Sequence, residues 1–345
     1  MNHRPLALFI AAAMALALPH TVAQTITSKQ SKTAQAWTPP RTADGRPDFQ
    51  GIWSNATLTP FERPTELAGK EFFTEAEAAE FTRATLKRAN RDRRGATPQE
   101  DVEASYNEAW MDRGTKLFAN LRTSIVVDPA NGRVPPLTTA AREAATAREA
   151  VQQRRPEGPE DLELWTRCIL GRTSGPPMIP GAYNNNYQFV QSRDTIAIDS
   201  EMIHEVRIIP LLTQGQTRPH ISSAIRLWMG DSVGHWEGDT LVVDTTNFTD
   251  KTPFHGSDRN LHVIEQFTLT GRDTLRYRFT IDDPTAFTRT WTGEIIMSKA
   301  PGPLYEYACH ETNYSLPDIL AGARAEEKHD EAKHDRIEGS GTQSK

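Results

Sequence analysis

The residues best suited to chemistry in this chain are a histidine, a glutamate and a tyrosine set among apolar neighbours. His204 follows Ile196, Ile198, Ser200 and Met202, and precedes Val206 and Ile208, in steps of two. Glu265 lies among Leu261, Val263 and Phe267, and Tyr277 among Leu275, Phe279 and Ile281. Alternation with a period of two is the signature of a strand with one buried face. All three side chains are therefore expected on apolar faces. A carboxyl group placed there must be paired or must raise its pKa. A raised carboxyl or an oriented imidazole is what general acid–base catalysis uses. His204, Glu265 and Tyr277 are accordingly the candidate catalytic residues, with His204 and Glu265 expected to face one cavity. The structural alternative is a satisfied core histidine at 204, and at 265 a buried partner for an arginine such as Arg207 or Arg278. Arg207 and Glu201, on the face opposite His204, read as a surface or rim pair.

The run Tyr183-Asn184-Asn185-Asn186-Tyr187 is a loop entering a strand. Its amides suit sugar hydroxyls or the lining of a barrel mouth, and turn-forming asparagines explain it equally well. Tyr183, Asn185 and Tyr187, with Trp291 and Tyr307 from later strands, are the candidate substrate-binding residues. His220 and His262 read as surface groups. There is no H-E-x-x-H, no C-x-x-C and no Asp-rich calcium loop, so no metal ligands are assigned. No G-x-G-x-x-G, P-loop or G-x-S-x-G occurs, which disfavours nucleotide cofactors and elbow-type serine hydrolysis; no cofactor is assigned.

The elements that must position these residues divide the chain. Thr74-Glu75-Ala76-Glu77 is a capping box opening a helix, and Thr97-Pro98-Gln99-Glu100 repeats the signal. Residues 122–134 read as a hairpin with Asn131-Gly132 in its turn, and 139–155 as an alanine-rich helix. A short helix is expected over 159–170, carrying Trp165 and Cys168. Upstream, the turn-rich stretch around Asp44-Gly45 and Ile52-Trp53 reads as a strap docked on the body by Trp53. From Tyr183 onward the pattern is strands: one after Tyr187, a long one from Ile196 to Ile209 with a bend, four more between Leu241 and Met297, and a last one over 304–309. Helices first and strands afterwards favour α+β: N-terminal helices and strap, then an antiparallel, lipocalin-like β-barrel or curled sheet. The expected organisation is a signal peptide over 1–23, a strap and helical region over 24–175, the barrel over 176–325 and a disordered tail over 326–345.

Residues 6–18 form an apolar run too short for a comfortable membrane span, and Thr21-Val22-Ala23 offers a cleavage point. This reads as a secretory signal, the alternative being a short N-terminal anchor. No later run reaches membrane-spanning length. The formal net charge of −6 argues against a nucleic-acid partner. The two cysteines, Cys168 and Cys309, are expected to form one disulfide in an oxidising compartment, the alternative being two buried thiols. A bridge across roughly 140 residues is worth roughly 5 kcal/mol by loop entropy.

The chain resembles a family of exported bacterial proteins. The resemblance rests on D-G-R-P-D-F-Q-G-I-W (44–53), P-P-M-I-P-G-A-Y-N-N-N-Y-Q (176–188) and S-E-M-I-H-E-V-R-I-I-P (200–210). It continues through G-D-S-V-G-H-W-E-G-D-T-L-V-V-D-T-T-N-F-T-D-K-T (230–252), L-H-V-I-E-Q-F and E-Y-A-C-H-E-T-N-Y, and so covers nearly the whole mature chain. It implies export but supplies no catalytic scheme. The W-E-G-D-T-L-V-V segment also looks like strands of lipocalin-like barrels, an analogy of fold that does not imply function. The expected function is that of a periplasmic or secreted, cofactor-independent enzyme. It would act on a small organic molecule in a barrel cavity by acid–base chemistry, as a lyase, isomerase or hydrolase. The alternative is a non-catalytic protein holding a small molecule in the same cavity.

Overall fold

Among the described residues the chain forms ten strands. They are β1 (Gly51–Ser54), β2 (Val126–Asp128), β3 (Asn186–Gln191), β4 (Thr195–Ser200), β5 (Glu205–Leu212), β6 (Asp231–Glu237), β7 (Thr240–Thr246), β8 (Val263–Gly271), β9 (Thr274–Ile281) and β10 (Trp291–Ala300). Nine of them close into a barrel in the order β1-β3-β4-β5-β6-β7-β8-β9-β10, with β10 returning to β1, while β2 pairs with β10. Every pairing is antiparallel except β5 with β6, a parallel seam of two residue pairs. The computed structural model describes residues 37–92, 96–103, 107–171, 173–212 and 219–341. Residues 1–36, including the expected signal peptide, lie outside the described residues.

The interior-facing residues are the ones whose spacing marks them. Val263, Glu265 and Phe267 on β8, and Tyr277 and Phe279 on β9, are all fully buried. Aromatic rings fill much of the bore: Phe267 stacks on Tyr277 at 4.9 Å between centroids, and Phe279 meets Trp291 edge-on at 5.9 Å. The fit is close on β10, where a Cβ on Gly293 would meet the Phe279 ring at 2.2 Å.

The strap is a barrel strand rather than a tie across the outside. β1 pairs with β3 on one side and β10 on the other, so its four residues close the barrel. Trp53 is buried from β1, and its indole N–H donates to the Phe49 carbonyl at 2.8 Å. Since β1 and β2 come from upstream of residue 176, the sheet is not confined to 176–325, and Pro39–Lys345 forms one compact unit.

Among the described residues there are also four helices: α1 (Glu75–Ala89), α2 (Pro98–Glu103), α3 (Thr139–Gln153) and α4 (Ser315–Gly341). The capping box at Thr74 and Glu77 forms as its residues require. Four expectations change. Residues 122–134 make no hairpin: the turn at Gly132 forms, but β2 finds its partner in β10. Residues 159–170 hold a 3-10 turn, Pro159–Asp161, and hydrogen-bonded turns over 164–168, but no α-helix. Residues 304–309 form no strand, because β10 is already paired on both sides. The expected disordered tail is helical through Gly341, pinned where Arg155 pairs with Glu326 and Asp330; residues 342–345 lie outside the described residues. Among the described residues, no helix is long and apolar enough to cross a membrane.

Cys168 and Cys309 are joined, their Sγ atoms 1.93 Å apart. The bridge ties the segment ahead of β3 to the chain just beyond β10. The full chain, denatured without reductant, is expected to titrate no thiol; two thiols per chain would contradict the pairing. Trp53→Ala is expected to cost about 3–5 kcal/mol, as large core truncations do, and thermal melting will read the loss.

Candidate functional site

Glu265 enters the bore from β8 and meets Arg207 from β5 in a two-pronged ion pair, at 2.5 and 3.0 Å. Their side chains are 0% and 5% exposed, so each charge depends on the other. The Tyr277 hydroxyl donates to the same carboxylate at 2.9 Å and accepts the Met178 backbone N–H at 3.0 Å. Burial is the main reason the Tyr277 phenol is pushed well above its ordinary pKa, and it remains a donor.

This network reaches out of the barrel through the segment 173–178. The Tyr187 hydroxyl donates to the Thr173 carbonyl at 2.6 Å, and Asn55 Nδ2 donates to the Met178 carbonyl at 3.2 Å. Met178 itself is fully buried. The segment is therefore a plug, held by two interior tyrosines.

The outer side of the plug forms one wall of an open cleft of about 420 Å³. The other walls come from the loops around Trp228 and residues 251–255. Trp165, Trp228, Phe248 and Phe254 give the cleft an aromatic lining. His255 is exposed in it with a backbone φ of 50°, stacked on Phe61 at 4.7 Å. Close apolar walls push the His255 pKa below 6.5 despite that exposure, because they displace water from around the ring, so the imidazole is neutral at pH 7. Among the described residues no hydrogen bond is made to its ring.

The loop carrying Trp228 is tethered outside the barrel. His220 bridges Asp231, at 2.8 Å, and Asp244, at 2.9 Å; His262 holds the other oxygen of Asp244, at 2.9 Å. These two histidines, expected as simple surface groups, thus share one carboxylate. Among the described residues no three His, Cys, Asp or Glu side chains converge as a metal would need.

The expected catalytic set does not assemble. Glu265 and Tyr277 meet, but His204 is exposed elsewhere, where its Nδ1 accepts the Tyr307 backbone N–H at 2.9 Å. The expected long strand is broken by a 3-10 turn, Met202–His204, in which Ile203 and His204 take φ of 64° and 54°. The turn exchanges the two faces. Arg207 and Ile209 point inward, and Val206 and Ile208 stand exposed. Arg207 and Glu201 are accordingly no rim pair: both are buried, and Glu201 accepts Asn186 Nδ2 at 2.9 Å.

The binding candidates scatter as well. Tyr187 and Trp291 are fully buried in the core. Asn185 is buried and spent locally, accepting the Gly181 N–H at 2.7 Å and donating to the Asp112 carbonyl at 2.6 Å. Tyr183 and Tyr307 are half-buried outside the cleft lining. The cleft residues Trp228, Lys251, Phe254 and His255 escape sequence reasoning because they sit on loops without periodicity. The one local signal is the turn-rich K-T-P-F-H-G at 251–256.

No family model matches the chain, and no curated protein shows significant similarity to it.

Glu265→Gln, which leaves the Arg207 charge buried without its counter-ion, is expected to lower stability by about 3–5 kcal/mol. Tyr277→Phe should cost about 1–3 kcal/mol, both read by denaturant unfolding. On the outside, the Asp244 hydrogen bond raises the His262 pKa above 6.5, and the His262 hydrogen bond lowers that of Asp244 below 3.8. The His262 contribution is complete below 6.5 and is lost as pH rises through its folded value. The Asp244 contribution is complete above 3.8 and is lost as pH falls through its folded value. The melting temperature should therefore fall as pH is raised from 6.5 to about 8, and His262→Gln should flatten that fall.

Proposed function

We propose that this chain is an exported, periplasmic or secreted protein that binds a small molecule in the cleft at the barrel mouth, not in the bore. The carrying observation is the contrast between the two spaces. In the bore, Glu265, Tyr277 and Arg207 have protein partners and aromatic neighbours. At the mouth, the aromatic cleft is open and falls within the roughly 300–1,000 Å³ typical of ligand pockets. Loops mounted on a rigid barrel are where binding sites concentrate. Export is supported by the N-terminal pattern, by the Cys168–Cys309 bridge and by the resemblance to exported bacterial proteins.

One observation favours a catalytic second reading in the same cleft. His255 presents an unbonded, neutral imidazole beside it, the form a general base requires. On that reading His255 takes the role that the sequence assigns to His204 and Glu265, and no cofactor is invoked. Loss of turnover in His255→Asn with ligand affinity unchanged would select catalysis.

The binding reading is tested with naphthylmethanol, an uncharged bicyclic aromatic, titrated by tryptophan fluorescence. One site per chain is expected. Trp228→Ala should weaken it about tenfold, the loss of roughly 1.4 kcal/mol of stacking and contact. Affinity unchanged by Trp228→Ala would reject the cleft as the site.

A further inference from the structure

Beside the aromatic cleft lies a second depression of about 270 Å³ with a different character. The two share Trp228 and Lys251, so they adjoin at one indole. Arg226 and Arg259 join Lys251 in lining the second, and Asp250 is the one carboxylate among its lining residues. Three cations against one acid is a local excess of positive charge in a chain whose formal net charge is −6.

These cations are also unspent. Arg148, Arg155 and Arg207 have carboxylate partners within salt-bridge distance. Among the described residues Arg226, Lys251 and Arg259 have none. Arg226 Nη1 donates to the Arg259 carbonyl at 2.7 Å, which joins the two loops, while its buried Nε has no hydrogen-bond partner among the described residues. Guanidinium groups match a carboxylate fork for fork, and charge-assisted hydrogen bonds are the stronger kind.

We propose that the ligand is an anion with an aromatic or alicyclic body: the ring occupies the aromatic cleft, and a carboxylate or similar acid group sits among Arg226, Lys251 and Arg259. Trp228 stands at the junction and flanks both parts. The assignment rests on the cleft-binding reading above and adds the charge of its ligand.

Two probes of similar shape separate the two ideas. Naphthoate and naphthylmethanol are titrated against the full chain at low salt and at about 0.5 M salt, where charge attraction is screened over a few ångströms. Naphthoate is expected to bind at least about tenfold more tightly at low salt, as a charge-assisted hydrogen bond implies. High salt should narrow the gap. Arg259 is exposed and lines only the second depression, so Arg259→Gln keeps the fold and should narrow the gap while leaving naphthylmethanol affinity unchanged. Equal affinities in the unmodified chain overturn the anion assignment and leave the cleft reading standing. A gap that stays as wide in Arg259→Gln overturns it too. If neither probe binds, the cleft reading fails and takes the anion with it.

Discussion

An ion pair inside a closed barrel is the constraint on which the rest of this structure depends. Glu265 and Arg207 are taken almost wholly out of water. Desolvation of that kind costs several kcal/mol per ion unless the geometry is good and the remaining lone pairs are used. Both conditions are met: the guanidinium grips both oxygens, and Tyr277 adds a third donor. The pair dictates more than its own contact. For Arg207 to face inward, β5 must present a different parity from β4, and the turn at Met202–His204 supplies it. Two residues there accept a positive φ, a conformation that costs free energy in a side chain as bulky as isoleucine.

From the ion pair the network leads to the plug. Tyr277 bonds the Met178 backbone, Tyr187 bonds Thr173, and Ser174 Oγ donates to the Met202 carbonyl at 3.1 Å. The plug is thus fastened both to the interior network and to the turn that the network requires. Its outer surface is a wall of the cleft, so groups buried in the bore still shape the cleft. Upstream of the plug, the disulfide holds Cys168 against the chain beyond β10.

Closure of the barrel has its own weak points. β1 contributes four residues, yet it is paired on both sides, and without it β3 and β10 would become free edges. The β5–β6 seam is short and parallel. The segment leading into β6 carries Arg226 and Trp228, and the His220 contacts to Asp231 and Asp244 hold it to β6 and β7. The mouth of the barrel is therefore a set of loops, each anchored at an identifiable point on a rigid sheet.

The sequence by itself determined the strands from Leu241 to Met297, their inward faces, the capped helix at Thr74, the cysteine pairing and the strandedness of the second half. These depend on local periodicity, local hydrogen bonding or the scarcity of partners, which a single chain displays. It also marked Glu265 as a polar exception and named Arg207 among its partners, but did not choose between them. Tertiary structure decided what local pattern could not carry. One short turn reversed the parity of β5, moved His204 to the surface and brought Arg207 inside. The strap became the closing strand because only closure presents two edges to pair with. The helix over 326–341 found its anchor in Arg155, far away in sequence. The cleft unites Trp165, Trp228 and His255 from three separate loops. Convergence of that kind leaves no spacing to read, since loop residues are brought together by the sheet beneath them and not by their order along the chain.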